Sequence, residues 1–147
     1  MKKKRSIVIT SGYFNPLHVG HIEYLKEAKR LGEILLVIVN TDKQVTIKRS
    51  IPFMNESDRS TIVSWLQMVD YVILSKDEDE SVNKTLKFIT EVYSTEPTDF
   101  IFAKGGDRNA GNIPEFTTCK KLGIRMVFGV GGKKIRASSE LIRNSLK

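Results

Sequence analysis

Five short runs of β-branched and other apolar residues recur along this chain, and longer stretches with helical spacing of apolar residues separate them. The runs are Ile7–Thr10, Ile34–Val39, Tyr71–Leu74, Phe100–Ala103 and Ile124–Phe128. Runs of this length and composition are typical of buried strands. Strands that alternate with helices predict a parallel sheet with right-handed crossovers. The 147 residues are enough for five such units, so we expect one α/β domain over residues 1–147.

Composition narrows the class of protein further. The net charge of +7 favours anionic partners, but the basic residues are scattered and do not alternate with aromatic ones, so no nucleic-acid groove is predicted. No apolar run approaches the ~20 residues that a membrane span needs. The basic start of the chain is followed by too short an apolar run for a signal peptide, so a cytoplasmic location is expected. The single cysteine, Cys119, excludes an internal disulfide and a cysteine-based zinc site.

The turn after the first apolar run contains the two histidines of the chain. His18 and His21 lie three residues apart with Gly20 between them, and a helical pattern follows. A turn from strand to helix exposes backbone N–H groups and the positive end of the helix dipole, which favours a bound phosphate. A metal pair is the alternative, but cysteine and carboxylate ligands are missing nearby. The turn therefore predicts a phosphate site with two imidazole donors.

The same turn resembles the HxGH signature of the nucleotidyltransferase superfamily, and of its cytidylyltransferase-like branch in particular. The chain departs at Asn15, where many members of that branch have aspartate. The resemblance implies a Rossmann-like three-layer α/β/α sandwich of the HIGH type, with His18 and His21 as catalytic residues that contact the reacting phosphates. It implies nucleotide contacts from five positions of the turn: Gly12, Tyr13, Phe14, Asn15 and Gly20.

Two basic positions follow the second strand where the family has a cationic loop and then an arginine that opens the next helix. On this resemblance, Lys48 is a catalytic residue that offsets charge on the departing pyrophosphate, and Arg59 binds nucleotide. Farther along, Lys104-Gly105-Gly106-Asp107 is similar to a segment of heptose-phosphate adenylyltransferase domains. That similarity implies contacts of Lys104, Gly106 and Asp107 with the sugar and base of the nucleotide.

The segment from Lys133 to Arg143 resembles the second signature of the family, in which hydroxyl residues begin a helix. Ser138 is a good helix N-cap, and an apolar stripe follows it. The resemblance implies that Ser138 and Ser139 hold the β- and γ-phosphates, with Ser138 in the catalytic set, and that Lys133 binds nucleotide. Glu140 stands where the family often has a third hydroxyl residue.

The reaction implied by these resemblances is the transfer of CMP or AMP from CTP or ATP to a phosphorylated small molecule, with release of pyrophosphate. A sugar or polyol phosphate is the expected acceptor, although Gln67 replaces an arginine that helps hold glycerol phosphate in one branch. Mg²⁺ is expected with the triphosphate, no metal ligand of the protein is predicted, and a homodimer is a family expectation. Two alternatives stay open: an adenylyltransferase of the pantetheine-phosphate, nicotinamide-mononucleotide or FMN type, and a non-catalytic nucleotide-binding protein.

Overall fold

The structure is a computed structural model, and it describes residues 4–106 and 108–132. Strands and helices alternate along most of the chain, as the apolar pattern predicts. Their order and bounds are β1 (Arg5–Gly12), α1 (Val19–Lys29), β2 (Ile34–Val39), α2 (Asp42–Ile47), α3 (Glu56–Ser64), β3 (Tyr71–Leu74), α4 (Asn83–Val92), β4 (Thr98–Gly105), α5 (Phe116–Leu122) and β5 (Arg125–Val130). None of the described helices is long and apolar enough to cross a membrane.

The five strands form one sheet in the order β3-β2-β1-β4-β5, and every pairing is parallel. The chain builds outward from β1 to β3, then returns to the other side of β1 with β4. This reversal makes a switch point at the carboxyl ends of β1 and β4, where ligands bind in open α/β sheets. The turn with the two histidines follows β1, so the fold places it at that edge.

Alternate residues of each strand face opposite sides of the sheet, and each side has its own core. On one side, Ile7 and Ile9 of β1 pack in a cluster with Leu86 and Ile89 of α4 and with Cys119 of α5. On the other side, Val8 belongs to a cluster formed with residues of α1 and α3. That second cluster includes Leu25, Ala28 and Val63. The predicted three-layer α/β/α sandwich with a five-stranded parallel sheet is therefore confirmed.

Two segments that follow strands β2 and β3 have local structure that the apolar pattern does not show. Residues 40–42 lead into a helix, α2, which Thr41 caps by accepting a hydrogen bond from the Gln44 amide. In the acidic run at residues 77–80, Asp77 is buried. Its carboxylate accepts hydrogen bonds from the backbone N–H groups of Lys84 and Thr85, because the first turn of α4 needs acceptors.

Candidate active site

The two histidines cap helix α1, and each uses the same ring nitrogen to do so. The Nδ1 of His18 accepts a hydrogen bond from the Gly20 amide, and the Nδ1 of His21 accepts one from the His18 amide, both at 3.1 Å. This reciprocal pair satisfies backbone donors that the start of a helix otherwise leaves without partners. Because each Nδ1 is an acceptor, the hydrogen of each neutral ring lies on Nε2. The cap therefore makes Nε2–H the donor of both imidazoles.

Ring packing holds the histidines in a fixed relation to the end of β1. The His18 and His21 rings stack with centroids 3.9 Å apart, and Phe14 meets His21 edge-on at 4.9 Å. Phe14 is 1% exposed and has a left-handed φ of 50°. Its ring lies over Gly12, where an added Cβ would come within 2.7 Å of it. Gly12 and Phe14 thus shape the turn, and any contact of Gly12 with a ligand is limited to backbone atoms.

Asn15 uses both ends of its side-chain amide inside the protein. Its Nδ2 donates to the carbonyl of Ile51 at 2.8 Å, and its Oδ1 accepts from the amides of Phe53 at 2.6 Å and Met54 at 3.3 Å. The side chain is 3% exposed. The segment after α2 thus engages both ends of this amide, and the expected contact of Asn15 with nucleotide stays a prediction.

Arg59 likewise makes its contacts inside the protein. Its side chain is completely buried, and it donates to the carbonyls of Met54, Tyr13 and Asn40 at 2.6–2.9 Å. It also pairs with Asp42 at 2.7 Å. A guanidinium with four protein acceptors has little capacity left for a ligand. The arginine joins the turn after β1, the start of α2 and the segment before α3, and its expected contact with nucleotide stays a prediction.

Lys48 and Tyr13 meet at the edge of the histidine turn. Lys48 is the C-cap residue of α2, and its Nζ lies 4.5 Å from the centroid of the Tyr13 ring, in a cation–π contact. The hydroxyl of Tyr13 is buried, and no hydrogen-bond partner for it exists among the described residues. Burial, together with the carboxylates of Glu80 and Glu115, raises the pKa of Tyr13 to about 12. The phenol therefore stays protonated and remains a donor at neutral pH.

Lys104 brings a second cation to the same edge, from the end of β4. Its Nζ donates to Ser11 Oγ at 3.3 Å and lies 5.1 Å from the Phe102 ring centroid. No carboxylate of the described residues lies within ion-pair distance of it. Burial lowers the pKa of Lys104, and the carboxylate of Glu115 opposes that shift. Lys104 is half-buried, and its hydrogen bonding within the described residues is the one contact with Ser11, so it has donors available for an anion.

Glu115 is a residue of this edge that the sequence did not indicate. It is 4% exposed, and its Oε2 accepts a hydrogen bond from the Val82 amide at 3.0 Å. Its charge acts on both Tyr13 and Lys104. A glutamate just before a helix is common in proteins, so no sequence signal distinguishes this one.

The remaining predicted residues divide into two groups. Gly106 follows β4 with a left-handed φ of 62°, which glycine adopts without strain. Gly20 acts through its amide in the helix cap. The other predicted residues lie outside the described part of the chain, so their contacts stay predictions: Asp107, Lys133, Ser138 and Ser139.

Known proteins resemble this chain over most of its length. A family model described as cytidylyltransferase-like matches residues 9–144. The bifunctional protein HldE of a Nitratiruptor species is 32% identical over 145 residues, which are 97% of this chain and 29% of that protein. The FAD synthase of Picrophilus torridus is 35% identical over 117 residues, or 80% of this chain and 77% of that enzyme. The chain thus spans less than a third of the HldE relatives it matches.

Two solved structures share the fold. The lipopolysaccharide core biosynthesis protein from Thermoplasma volcanium has a TM-score of 0.66 and 32% identity, covering 85% of this chain and 94% of that one. A putative nicotinate-nucleotide adenylyltransferase from Vibrio parahaemolyticus has a TM-score of 0.64 at 19% identity, covering 97% of this chain and 86% of that one. The second likeness concerns the fold alone. With the family match over residues 9–144, these findings show that the chain belongs to the cytidylyltransferase-like family of nucleotidyltransferases.

Proposed function

We propose that this chain transfers CMP or AMP from CTP or ATP to the phosphate of a small sugar or polyol phosphate. The observation that carries the proposal is the histidine cap of α1. It directs the Nε2–H donors of two stacked imidazoles away from the helix start, at the switch point of a parallel sheet. Donors fixed in advance are what a phosphoryl-transfer transition state requires.

The reaction needs little acid–base chemistry from the protein. An oxygen of the acceptor phosphate attacks the α-phosphorus, and the bond from that phosphorus to the oxygen bridging to the β-phosphate breaks. Pyrophosphate leaves with the electron pair of that bond. Because the acceptor is already an oxyanion, positioning and charge stabilisation supply most of the rate enhancement. His18 and His21 donate to oxygens at the reacting centre in this mechanism.

The cations and hydroxyls around the turn have distinct parts in the proposal. Lys48 offsets the charge that accumulates on the departing pyrophosphate, and Lys104 and Tyr13 add donors from the two strand ends on either side of the switch point. Ser138 and Ser139, outside the described residues, are proposed to hold the β- and γ-phosphates, with Lys133 beside them. The backbone of Gly12, Gly20 and Gly106 and the charge of Asp107 complete the proposed nucleotide site.

Mg²⁺ is part of the proposal as the partner of the triphosphate. Among residues 4–106 and 108–132, no three histidine, cysteine or acidic side chains come together as a metal site. Asp42, an acidic residue near the turn, is paired with Arg59. We therefore expect phosphate and water oxygens to supply most of the ligands of the Mg²⁺ ion. When bound, Mg²⁺ supplies charge neutralisation on the triphosphate.

A sugar phosphate is the acceptor class that the sequence favours. The Lys104–Asp107 string is similar to heptose-phosphate adenylyltransferase domains, and several HldE proteins match the chain. The second candidate is an adenylyltransferase that acts on FMN, because an FAD synthase matches 80% of this chain. The two candidates differ in acceptor but share the attack on the α-phosphate.

The deciding experiment measures pyrophosphate release with Mg²⁺, CTP or ATP, and one acceptor at a time. The acceptor panel includes sugar 1-phosphates, polyol phosphates, FMN, nicotinamide mononucleotide and pantetheine phosphate. Release that depends on a sugar or polyol phosphate supports the proposal, and release with ATP and FMN alone supports the second candidate. Folded protein that binds nucleotide but releases no pyrophosphate with any pair is a non-catalytic nucleotide-binding protein.

A homodimer completes the proposal, on the family expectation alone. Light scattering behind size-exclusion chromatography measures the mass directly, against 16.7 kDa for one chain. A mass of one chain at all enzyme concentrations used in the assay contradicts this part and leaves the rest of the proposal intact.

A further inference from the structure

Asn15 connects the histidine turn to the segment between α2 and α3, which we call the α2–α3 connection (residues 48–55). Three hydrogen bonds join its amide to residues 36 to 39 positions farther along the chain. All three partners are backbone atoms of one short stretch: the Ile51 carbonyl and the amides of Phe53 and Met54. One buried side chain thus fixes the path of the connection.

Core packing does not hold this connection in place. None of residues 48–55 is buried, and the apolar side chains of Ile51 and Phe53 are 64% and 59% exposed. Hydrogen bonds must therefore supply most of the anchoring. Asn15 provides three, and Arg59 adds one to the Met54 carbonyl while it also holds the Tyr13 carbonyl.

Lys48 lies at the beginning of the same connection. The turn that follows it is tight: Arg49 has a left-handed φ of 58°, and the Ser50 amide donates to the Val45 carbonyl at 3.1 Å. Only two residues then separate Lys48 from Ile51, the first anchored carbonyl. A shift of the anchored stretch is therefore transmitted to Lys48 and to its contact with Tyr13.

The chemistry of the anchor requires an amide. A carboxylate at position 15 could still accept from Phe53 and Met54, but it has no hydrogen to donate to Ile51. Its oxygen would instead face the Ile51 carbonyl at the 2.8 Å now spanned by a hydrogen bond. Position 15 is buried, so a side-chain oxygen held there against another acceptor, with no donor between them, costs more than the bond is worth when made.

We propose that Asn15 is a positioning residue, whose amide holds the α2–α3 connection and thereby places Lys48 over the histidine turn. Asn15 acts through Lys48 and does not contact the nucleotide itself. The proposal rests on the proposed function, since Lys48 serves there as the cation beside the departing pyrophosphate. It explains why this chain has asparagine at position 15, where many family members have aspartate: only the amide can donate to the Ile51 carbonyl.

The first test is a double-mutant cycle between Asn15→Asp and Lys48→Met in the pyrophosphate-release assay. Asn15→Asp is expected to lower kcat/KM for the triphosphate about tenfold, the effect of one buried donor lost. The double variant is expected to be no worse than Lys48→Met alone, because both changes remove the same placed cation. Fully additive losses overturn the proposal.

Asn55→Asp is the matched control. Asn55 belongs to the same connection, is exposed, and uses its side chain only as an acceptor, from the Asp58 amide at 2.8 Å. Aspartate caps helices about as well as asparagine, so this variant adds the same charge without removing a needed donor. Equal losses in the two variants would show that charge, and not the amide donor, explains the effect of Asn15→Asp, which overturns the proposal.

A pH profile gives a readout that general destabilisation would not move. A protonated aspartic acid can donate to Ile51, so the activity of Asn15→Asp relative to the native enzyme is expected to recover as the pH falls toward 5. Asn15→Ala, which cannot donate at any pH, is expected to show no recovery. Parallel profiles for the two variants contradict the requirement for a donor.

Hydrogen exchange without any substrate separates this proposal from the proposed function. In Asn15→Ala, the Phe53 and Met54 amides are expected to exchange faster while those of β1 and β4 keep their protection. If the native protein shows no turnover, the proposed function fails. The double-mutant cycle between positions 15 and 48 is then measured with the affinities for Mg–ATP and Mg–CTP, determined by calorimetry, in place of kcat/KM. Unchanged exchange at Phe53 and Met54 overturns the anchor whether or not the enzyme turns over.

Discussion

One buried cation and one half-buried cation lie near the histidine turn, and the structure gives them different surroundings. Arg59 donates to four acceptors of the protein: three backbone carbonyls and the carboxylate of Asp42. Among the described residues, Lys104 has one acceptor, the hydroxyl of Ser11. The family resemblance implies a nucleotide contact for both. The difference teaches that the count of donors already used inside the protein, and not the charge, separates a supporting cation from one available to a ligand.

Replacing Arg59 should give the largest effect, and it should appear in stability. Arg59→Met leaves three carbonyls without their donor and leaves Asp42, whose side chain is 35% exposed, without its partner. An acceptor left without its donor inside a protein costs about 1–3 kcal/mol, so the three carbonyls together predict a loss of about 3 kcal/mol or more. Chemical denaturation should show a loss of this size. Arg59→Met that folds with native stability and only a raised KM for nucleotide would remove the contrast with Lys104.

The two nitrogens of the His18 ring have different partners. Nδ1 accepts a hydrogen bond in the helix cap, and Nε2 is proposed to donate to the substrate. His18→Ala should lower kcat about 100- to 1000-fold, as expected for a lost donor to the transition state, and destabilise α1 by about 1 kcal/mol through the lost cap. His18→Asn should retain the cap, since asparagine is a good N-cap residue, but not the activity. Thermal unfolding and single-turnover rates separate the two effects, and full activity of His18→Asn would contradict the assigned donor.

Lys104→Met should lower kcat/KM about 10- to 100-fold, the effect of a charge-assisted hydrogen bond. It should not lower stability at pH 7, because a methionine avoids the cost of burying an ammonium. Burial lowers the pKa of Lys104 in the native protein below its value in the unfolded chain. Between these two pKa values the unfolded chain binds more protons than the native protein, so the stability of the native protein rises with pH in that range. The stability advantage of Lys104→Met should therefore shrink from pH 7 toward pH 10, as thermal melts can measure. An advantage independent of pH would show that Lys104 carries no burial cost.

Tyr13→Phe should produce the smallest effect. The hydroxyl has no protein partner among the described residues, so its loss should leave stability within about 0.5 kcal/mol of the native value. A lost neutral hydrogen bond to substrate should lower kcat/KM about two- to tenfold. Because the pKa of Tyr13 is raised to about 12, its contribution should be constant from pH 6 to 9. Activity equal to that of the native enzyme would place the hydroxyl away from the substrate.

Much of the fold could be predicted from the apolar pattern. The strands of a parallel sheet are buried on both faces, so their sequences are short runs of β-branched and other apolar residues. All five expected runs fall within observed strands or overlap them by most of their length. Helix α2 was missed because it has only six residues, too few for helical spacing to show. The position of the histidine turn at the sheet edge also followed from the strand that precedes it.

The interior of the site was less predictable. The burial of Arg59 depends on carbonyls at positions 13, 40 and 54, which only the folded chain brings together. The partners of Asn15 are equally distant in sequence, and they are backbone atoms, which have no signature in the amino-acid sequence. The family motif located these residues at the site, but the roles of their side chains depend on tertiary contacts.

The α2–α3 connection also bears on how such an enzyme can be modified. Its fixed points are main-chain atoms, while the side chains of Ile51 and Phe53 project into solvent beside the site. New side chains at these two positions can therefore be introduced without disturbing the anchors, since the surface there imposes almost no steric requirement. For a library that seeks altered acceptor preference, positions 51 and 53 are exposed and lie within a few residues of Lys48, the cation proposed to face the departing pyrophosphate.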